Sequence, residues 1–178
     1  PFRTGSGVTM DALVRFADKA GWEQCAMVGI PAEEPRVLPP LATDRVRPVR
    51  FGEGGDLPFP VVGMSDVMPY QSTVWSNLTP EQVAAYCEVW KARLRDVVKE
   101  FQPDIIHSHH VWLLSSMVKD VAPEVPQVIH CHATGLRQMK LCPHLADQVE
   151  RGCARADAFS ILHGEHRGEL HQALHTDA

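Results

Sequence analysis

The sequence predicts an α/β protein in which a parallel β-sheet carries helices on both faces. Short apolar runs typical of buried strands alternate with segments of helical periodicity along the 178 residues. Apolar residues make up 44 % and charged residues 22 %, the balance of a globular domain with a hydrophobic core. Strands separated by helices pair in parallel, because a crossover is needed to bring the chain back to the same edge of the sheet.

The first 51 residues predict one helix and two strands. Gly5-Ser6-Gly7 leads into a helix of about 14 residues, which Gly21 is expected to end. A buried strand is predicted over 25–29, and an edge strand over 46–51. Four prolines between residues 31 and 44 predict an irregular connection.

Residues 52–78 are rich in glycine and proline and predict a long loop. Loops of this length in a compact domain are often functional. Tyr70 and Trp75 within it have two interpretations, stacking on a ligand ring or covering the core.

The remaining residues predict alternating helices and strands. Thr79, Pro80 and Gln82 form the pattern of a capping box, and the helix that follows should end before Pro103. Residues 104–110 are then predicted to be a strand followed by a loop, 127–132 a strand and its exit, and 156–163 a further strand. Helices are predicted over 111–120, within 144–153 and from 165 onward.

Charge and cysteine content exclude several classes of protein. The net charge is -5 and no basic run exceeds two residues, so nucleic acid is not an expected partner. We find neither a signal peptide nor an apolar stretch near the roughly 20 residues of a membrane span. The number of cysteines, five, is odd and no Cys-x-x-Cys occurs, so reduced thiols and a cytoplasmic location are expected.

Two groups of histidines lie on two predicted strands and at their exits, the end of the sheet where ligands bind in such folds. If the two strands are neighbours, four imidazoles gather at one edge of the sheet. They are His107, His109 and His110, and then His130 and His132. These side chains are either zinc ligands or hydrogen-bonding groups around a sugar or phosphate. For His107 and His130 we favour a core position with hydrogen bonds to the backbone, whereas the other three lie at the strand exits, where function is expected.

The other candidate residues each have a functional and a purely structural interpretation. Gly5, Ser6 and Gly7 either bind a phosphate or form a tight turn before the helix. The segment from Thr134 to Gln138 follows the His132 strand, and its Arg137 either binds a phosphate or carboxylate or is a solvated residue at a helix start. The same alternatives apply to residues 165–167, with more weight on the structural one. No Asp or Glu occurs between 105 and 119 or between 125 and 146, which argues against a hydrolytic metal site.

Four segments together resemble glycosyltransferase family 4. They are Gly5-Ser6-Gly7-Val8, residues 103–110 (PDIIHSHH), residues 128–135 (VIHCHATG) and Ala156-Asp157-Ala158. The resemblance implies a GT-B enzyme with two Rossmann-like domains, of which residues 1–178 form the N-terminal, acceptor-side domain. It also implies a retaining transfer of a sugar, without a metal, from a nucleotide-sugar donor to a glycan, lipid-linked or small-molecule acceptor.

The resemblance also implies roles for individual residues. His132 matches the histidine that reaches the donor sugar and is the expected catalytic residue. Gly5, Ser6 and Gly7 match the glycine-rich loop near the donor phosphates. His109 matches a histidine near the acceptor, and we add His110, Thr134 and Arg137 as further substrate-binding candidates. No metal ligand and no cofactor other than the donor substrate is expected.

Two parts of the family pattern do not occur in the sequence. The family places a first strand ahead of Gly5, and its nucleotide-binding domain carries two glutamates eight positions apart, a pair that no two glutamates of this chain form. We therefore expect the nucleotide-sugar domain to be a missing partner and the chain alone to be inactive. Because relatives often act on lipid-linked acceptors, a peripheral position at the inner membrane face stays open. The alternative functions are a metal-dependent hydrolase using the histidines and a non-catalytic module that binds a sugar or phosphate.

Overall fold

The computed structural model describes residues 4–35 and 38–175, which fall into two compact units, Pro1–Val74 and Trp75–Ala178. Helices and parallel strands alternate through both units, which confirms the predicted α/β class. In the described residues the strands form three short parallel sheets with the orders β1-β2, β3-β4 and β5-β6-β7.

The first unit opens with helix α1, Gly5–Lys19. Thr4 caps it, because its Oγ1 accepts a hydrogen bond from the Gly7 backbone N–H at 3.2 Å. Gly5-Ser6-Gly7 therefore forms the first turn of the helix, and the prediction that it precedes the helix as a loop is wrong. Gly21, with φ 77°, ends the helical conformation as predicted.

Strands β1, Ala26–Pro31, and β2, Val46–Phe51, pair in parallel. Val14 of α1 packs with Leu38 and Val46 in a small hydrophobic core. The predicted long loop at 52–78 is wrong in part, because it contains two short strands that pair in parallel, β3 at Val62–Gly63 and β4 at Thr73–Val74.

The second unit begins with the predicted capping box. Thr79 Oγ1 accepts from the Gln82 N–H at 3.3 Å, while Gln82 Oε1 accepts from the Thr79 N–H at 2.9 Å. Helix α2 then runs through Pro80–Phe101 and ends at Gln102, whose φ of 51° is left-handed. The elements that follow are β5 (Ile106–His109), α3 (Leu113–Val121), β6 (Gln127–Cys131), α4 (Ala133–Leu141), α5 (Pro143–Cys153), β7 (Ala158–Ile161) and α6 (His166–Leu174).

The register of the three-stranded sheet brings the histidine segments side by side. His109 of β5 lies opposite His130 of β6, which in turn lies opposite Ser160 of β7. Because the strands are parallel, their carboxyl ends meet at one edge of the sheet. The segments that follow β5 and β6 therefore begin beside each other at this edge of the sheet.

An ion pair between the buried Lys119 and the exposed Asp157 fixes the opposite edge of the same sheet. Lys119 Nζ lies 2.7 Å from Asp157 Oδ2 and also donates to the Val125 carbonyl at 3.0 Å. The same carboxylate accepts from the Gln127 N–H at 2.7 Å. Asp157 thus joins the end of α3 to the start of β6, immediately before β7.

Aromatic side chains form part of the core of the second unit. The Trp75 ring meets Tyr86 and Trp112 edge-on, with centroids 4.9 Å and 5.5 Å away. Trp75 is only 2 % exposed, so of its two interpretations the structure favours covering the core.

All five cysteines lie in the described residues and none is in a disulfide, as the prediction of reduced thiols requires. Burial raises the pKa of Cys131 to about 11 and that of Cys153 to about 12. Both are therefore protonated thiols at neutral pH, which behave as small apolar side chains.

Candidate functional site

The candidate site is a cluster of five histidines at the carboxyl ends of β5 and β6, called here the histidine cluster: His107, His109, His110, His130 and His132. Its central contact joins His109 Nδ1 and His132 Nε2, which share a hydrogen bond at 3.1 Å. This confirms that the two strand exits bring their histidines together. The sheet register produces the contact, because His109 and His130 are partners on adjacent strands and His132 follows two positions later.

His110 is held in an unusual backbone conformation at the exit of β5. Its φ is 69°, in the left-handed region that residues other than glycine rarely adopt. Its N–H donates to the His130 carbonyl at 2.9 Å, and its own carbonyl accepts from Ser115 Oγ at 2.6 Å. Its Nδ1 shares a hydrogen bond with Thr134 Oγ1 at 3.1 Å. Backbone strain held in place by several bonds is typical of functional sites.

The two histidines assigned to the core from the sequence behave differently. His130 is buried, at 7 % exposure, yet neither ring nitrogen has a hydrogen-bonding partner among the described residues. Its ring instead stacks on those of His109 and His132, at centroid distances of 5.6 Å and 4.6 Å. His107 is exposed. The predicted core position is therefore confirmed for His130 and wrong for His107. The predicted backbone bonds of the His130 ring are wrong, because the register turns this ring toward other imidazoles.

The histidine cluster is neutral at neutral pH. Burial, and then the neighbouring imidazoles, lower the pKa of His109 and of His110 to about 3. The same causes lower the pKa of His132 to about 4. A neutral imidazole carries one N–H donor and one acceptor nitrogen, so each ring contributes both kinds of group. In residues 4–35 and 38–175, no three His, Cys, Asp or Glu side chains are grouped as ligands for one metal ion.

The beginning of helix α4 lies directly beside these rings. His132 is its N-cap residue, and the His132 side chain makes no capping hydrogen bond to the first turn. The Gly135 N–H of this turn donates to the His132 carbonyl at 2.9 Å. The positive end of the helix dipole favours an oxygen acceptor or an anion at such a helix start. A Cβ placed on Gly135 would lie 2.8 Å from the Val111 carbonyl oxygen, so glycine is needed for α4 to start this close to the β5 exit.

The other predicted site residues lie outside the cluster or at its margin. Thr134 contacts His110, as described, whereas Arg137 is exposed on α4. Ser6 and its flanking glycines form the first turn of α1 in the other unit, where the Gly7 N–H is already bonded to Thr4 Oγ1. The segment 165–167 is the start of α6.

Sequence reasoning missed two residues that support the site, Ser115 and Gln127. Gln127 is fully buried and donates from Nε2 to Ser108 Oγ at 3.2 Å and to the Ser115 carbonyl at 2.9 Å. Ser115 in turn holds the carbonyl of His110. No local signal marks these residues, because their partners lie on a neighbouring strand or helix.

A family model described as a glycosyl transferase 4-like domain matches residues 4–178. The chain belongs to the glycosyl transferase 4-like family. The resemblance seen in the sequence is thereby confirmed. The same comparisons found no match among curated proteins and none among solved structures.

As a glycosyltransferase-type domain, the chain has its histidine cluster where ligands bind in open α/β sheets, outside the carboxyl ends of the strands. No helix in the described part of the chain is long and apolar enough to cross a membrane.

Proposed function

We propose that this glycosyl transferase 4-like domain is the acceptor-side half of a retaining GT-B glycosyltransferase. The sugar moves from a nucleotide-sugar donor to a glycan, lipid-linked or small-molecule acceptor. The family match supports a transferase, and the histidine cluster beside the start of α4 is the observation that carries the assignment. The nucleotide-sugar domain is a partner of this domain, and residues 1–178 alone are inactive.

The histidine cluster suits the recognition of oxygen atoms on a sugar. Its imidazoles and the first turn of α4 supply N–H donors, and no Asp or Glu lies between residues 105 and 119 or between 125 and 146. Hydroxyl and phosphate oxygens are the groups that such donors bind. His109, His110 and Thr134 are the proposed contacts to substrate, with Arg137 at the exposed margin.

His132 is the proposed catalytic residue. Glycosyl transfer develops positive charge at the anomeric carbon, so a protonated imidazole beside the sugar would oppose it. Burial keeps His132 neutral by lowering its pKa to about 4. A neutral ring can donate one hydrogen bond to a sugar oxygen without adding positive charge, and a donor held in place before reaction needs no reorganisation.

The first turn of α1 is the proposed site for the donor phosphates. Gly5 and Ser6 lie at a helix N-terminus, where the helix dipole favours an anion. The hydrogen bond from Gly7 N–H to Thr4 Oγ1 reduces the number of free donors, so a phosphate there would compete with the cap. No cofactor or metal is part of this proposal. The proposed location is cytoplasmic, with a peripheral position at the inner membrane face if the acceptor is lipid-linked.

Replacing His132 tests this function in an intact protein that carries this domain together with its nucleotide-sugar domain. We expect His132→Ala to lower kcat about a hundredfold or more, the typical effect of removing one preorganised donor. Sugar transfer would be measured with a panel of nucleotide sugars, and folding by circular dichroism.

His144→Ala is the matched control, because His144 is exposed on α5 and is not part of the cluster. Wild-type turnover in a folded His132→Ala protein would refute the catalytic assignment. Saturable binding of a phosphorylated sugar without transfer of any sugar would support a non-catalytic binding module instead.

A further inference from the structure

His132 has only one ring nitrogen left for a ligand. Its Nε2 lies 3.1 Å from Nδ1 of His109. The two ring planes are inclined by only 19°, and their centroids are 5.4 Å apart. The distance of 3.1 Å between Nδ1 of His109 and Nε2 of His132 is much shorter than the distance between the centroids. The rings therefore meet edge to edge, in the geometry of an N–H···N hydrogen bond. Nδ1 of His132 is the nitrogen that remains.

One proton lies between these two nitrogens. The ring to which it is covalently bonded determines whether Nδ1 of His132 is a donor or an acceptor toward a ligand. If His109 donates, Nε2 of His132 is an acceptor and the ring's own proton is on Nδ1. If His132 donates, its Nδ1 is bare and can only accept. The tautomers of the two neutral rings are thus coupled through the bond.

The start of α4 distinguishes the two arrangements. The His132 side chain makes no capping hydrogen bond to this turn, and the positive end of the helix dipole favours an oxygen acceptor on a ligand held there. His132 is the N-cap residue of this turn and meets the same ligand. If Nδ1 of His132 carried no proton, its lone pair would repel the lone pairs of the ligand oxygen. If Nδ1 carried a proton, it would donate a hydrogen bond to that oxygen.

We infer that His109 is a positioning residue that donates its Nδ1 proton to His132 Nε2 and so keeps the His132 proton on Nδ1. The inference rests on the proposed function, in which the ligand oxygen belongs to the donor sugar. The lowered pKa values of His109, about 3, and His132, about 4, leave both rings neutral at neutral pH, so each carries one proton. His107, His110 and His130 are the titratable neighbours, and the pKa of each is lowered as well.

Long-range proton–nitrogen NMR of the ¹⁵N-labelled 178-residue chain at neutral pH tests the inference without any substrate. This measurement identifies the protonated nitrogen of each imidazole. We expect protons on Nδ1 of both His109 and His132, with both Nε2 atoms bare. In His109→Ala, His132 should lose its single fixed tautomer and shift toward the Nε2–H form.

Two variants separate positioning from packing. His109→Asn places an amide donor near the original Nδ1 and should retain the His132 tautomer. His107→Ala removes a neighbouring imidazole of the same strand, whose ring lies 5.3 Å from that of His109, and should also leave the tautomer unchanged. If His109→Ala does not fold, the wild-type and His109→Asn spectra still decide the question.

A wild-type proton on Nε2 of His132 would overturn the inference, as would an unchanged His132 tautomer in folded His109→Ala. The sugar-transfer assay tests the proposed function independently of the His132 tautomer. The expected tautomer without any sugar transfer by the intact protein would refute the function alone. Sugar transfer with the proton on Nε2 would refute the positioning role of His109 alone.

Discussion

At the scale of single residues, the environment of each histidine decides its chemistry. Five imidazoles share one edge of the sheet, and their mutual burial holds every pKa below the ordinary value. His110 shows how much structure supports this arrangement, because its left-handed backbone is bonded at the N–H, the carbonyl and the ring. A neutral, donor-rich cluster of this kind suits sugar recognition better than anion neutralisation.

The same pKa shifts predict that acid destabilises the domain. A histidine whose folded pKa lies below its unfolded value of about 6.5 binds its proton first in the unfolded chain. The free energy of unfolding should therefore fall as pH decreases from about 7 to about 5. A carboxylate whose folded pKa is lowered, such as Asp157, contributes mainly below this window, because its stabilisation is lost as pH falls through and below the ordinary carboxyl pKa of about 4. Urea titrations at the two pH values measure the effect.

His110→Asn tests the contribution of one ring to that pH dependence. Asparagine tolerates the left-handed backbone and can replace the bond to Thr134, but it does not titrate. We expect the variant to show a smaller loss of stability between pH 7 and pH 5 than the wild type. An equal loss in both proteins would mean that His110 does not contribute.

At the scale of elements, local propensity accounts for most helix boundaries, whereas packing decides the exceptions. The capping box at Thr79 and Gln82 starts α2 as predicted, because both bonds are local. Gly152 near the end of α5 would be expected from propensity alone to weaken the helix. Its surroundings explain why it is glycine, since an added Cβ would overlap the backbone and side chain of Ser116 on α3.

Gly152→Ala should therefore destabilise the domain despite its better helix propensity. We expect a loss of about 1–3 kcal/mol in the free energy of unfolding, the usual cost of overpacking. Gly168→Ala on α6 is the matched control, because its added Cβ would contact no atom within 4 Å. That variant should gain up to about 1 kcal/mol. Chemical denaturation measures both, and equal gains would contradict the close packing of α3 on α5.

At the scale of the whole molecule, the chain is an α/β glycosyl transferase 4-like domain whose described residues form two compact units. Within the second unit, one edge of the three-stranded sheet carries the histidine cluster and the other is fixed by the Lys119–Asp157 ion pair. The site edge thus carries neutral imidazoles, whereas the opposite edge is held by charge-assisted hydrogen bonds.

Asp157 is expected to stabilise the sheet that carries the site. Asp157→Ala removes the counter-ion of buried Lys119 and the acceptor of the Gln127 N–H, so the urea midpoint should fall. Asp157→Asn keeps an acceptor but loses the charge, and its midpoint should lie between those of Asp157→Ala and the wild type. A midpoint for Asp157→Ala equal to that of the wild type would show that the buried lysine does not need this partner.

The sequence by itself determined the α/β class, the order of the major elements, the family and the edge of the sheet at which the strand-exit histidines lie. These features follow from periodicity, from caps made by near neighbours, and from the rule that parallel strands end at one edge. The tertiary structure alone decided that Gly5-Ser6-Gly7 is a helical turn and that Gln127 and Ser115 support His110. It also decided that the His130 ring stacks on other imidazoles, with no hydrogen-bonding partner for its nitrogens among the described residues. These features depend on contacts between residues of different helices and strands, and the local sequence pattern does not indicate such contacts.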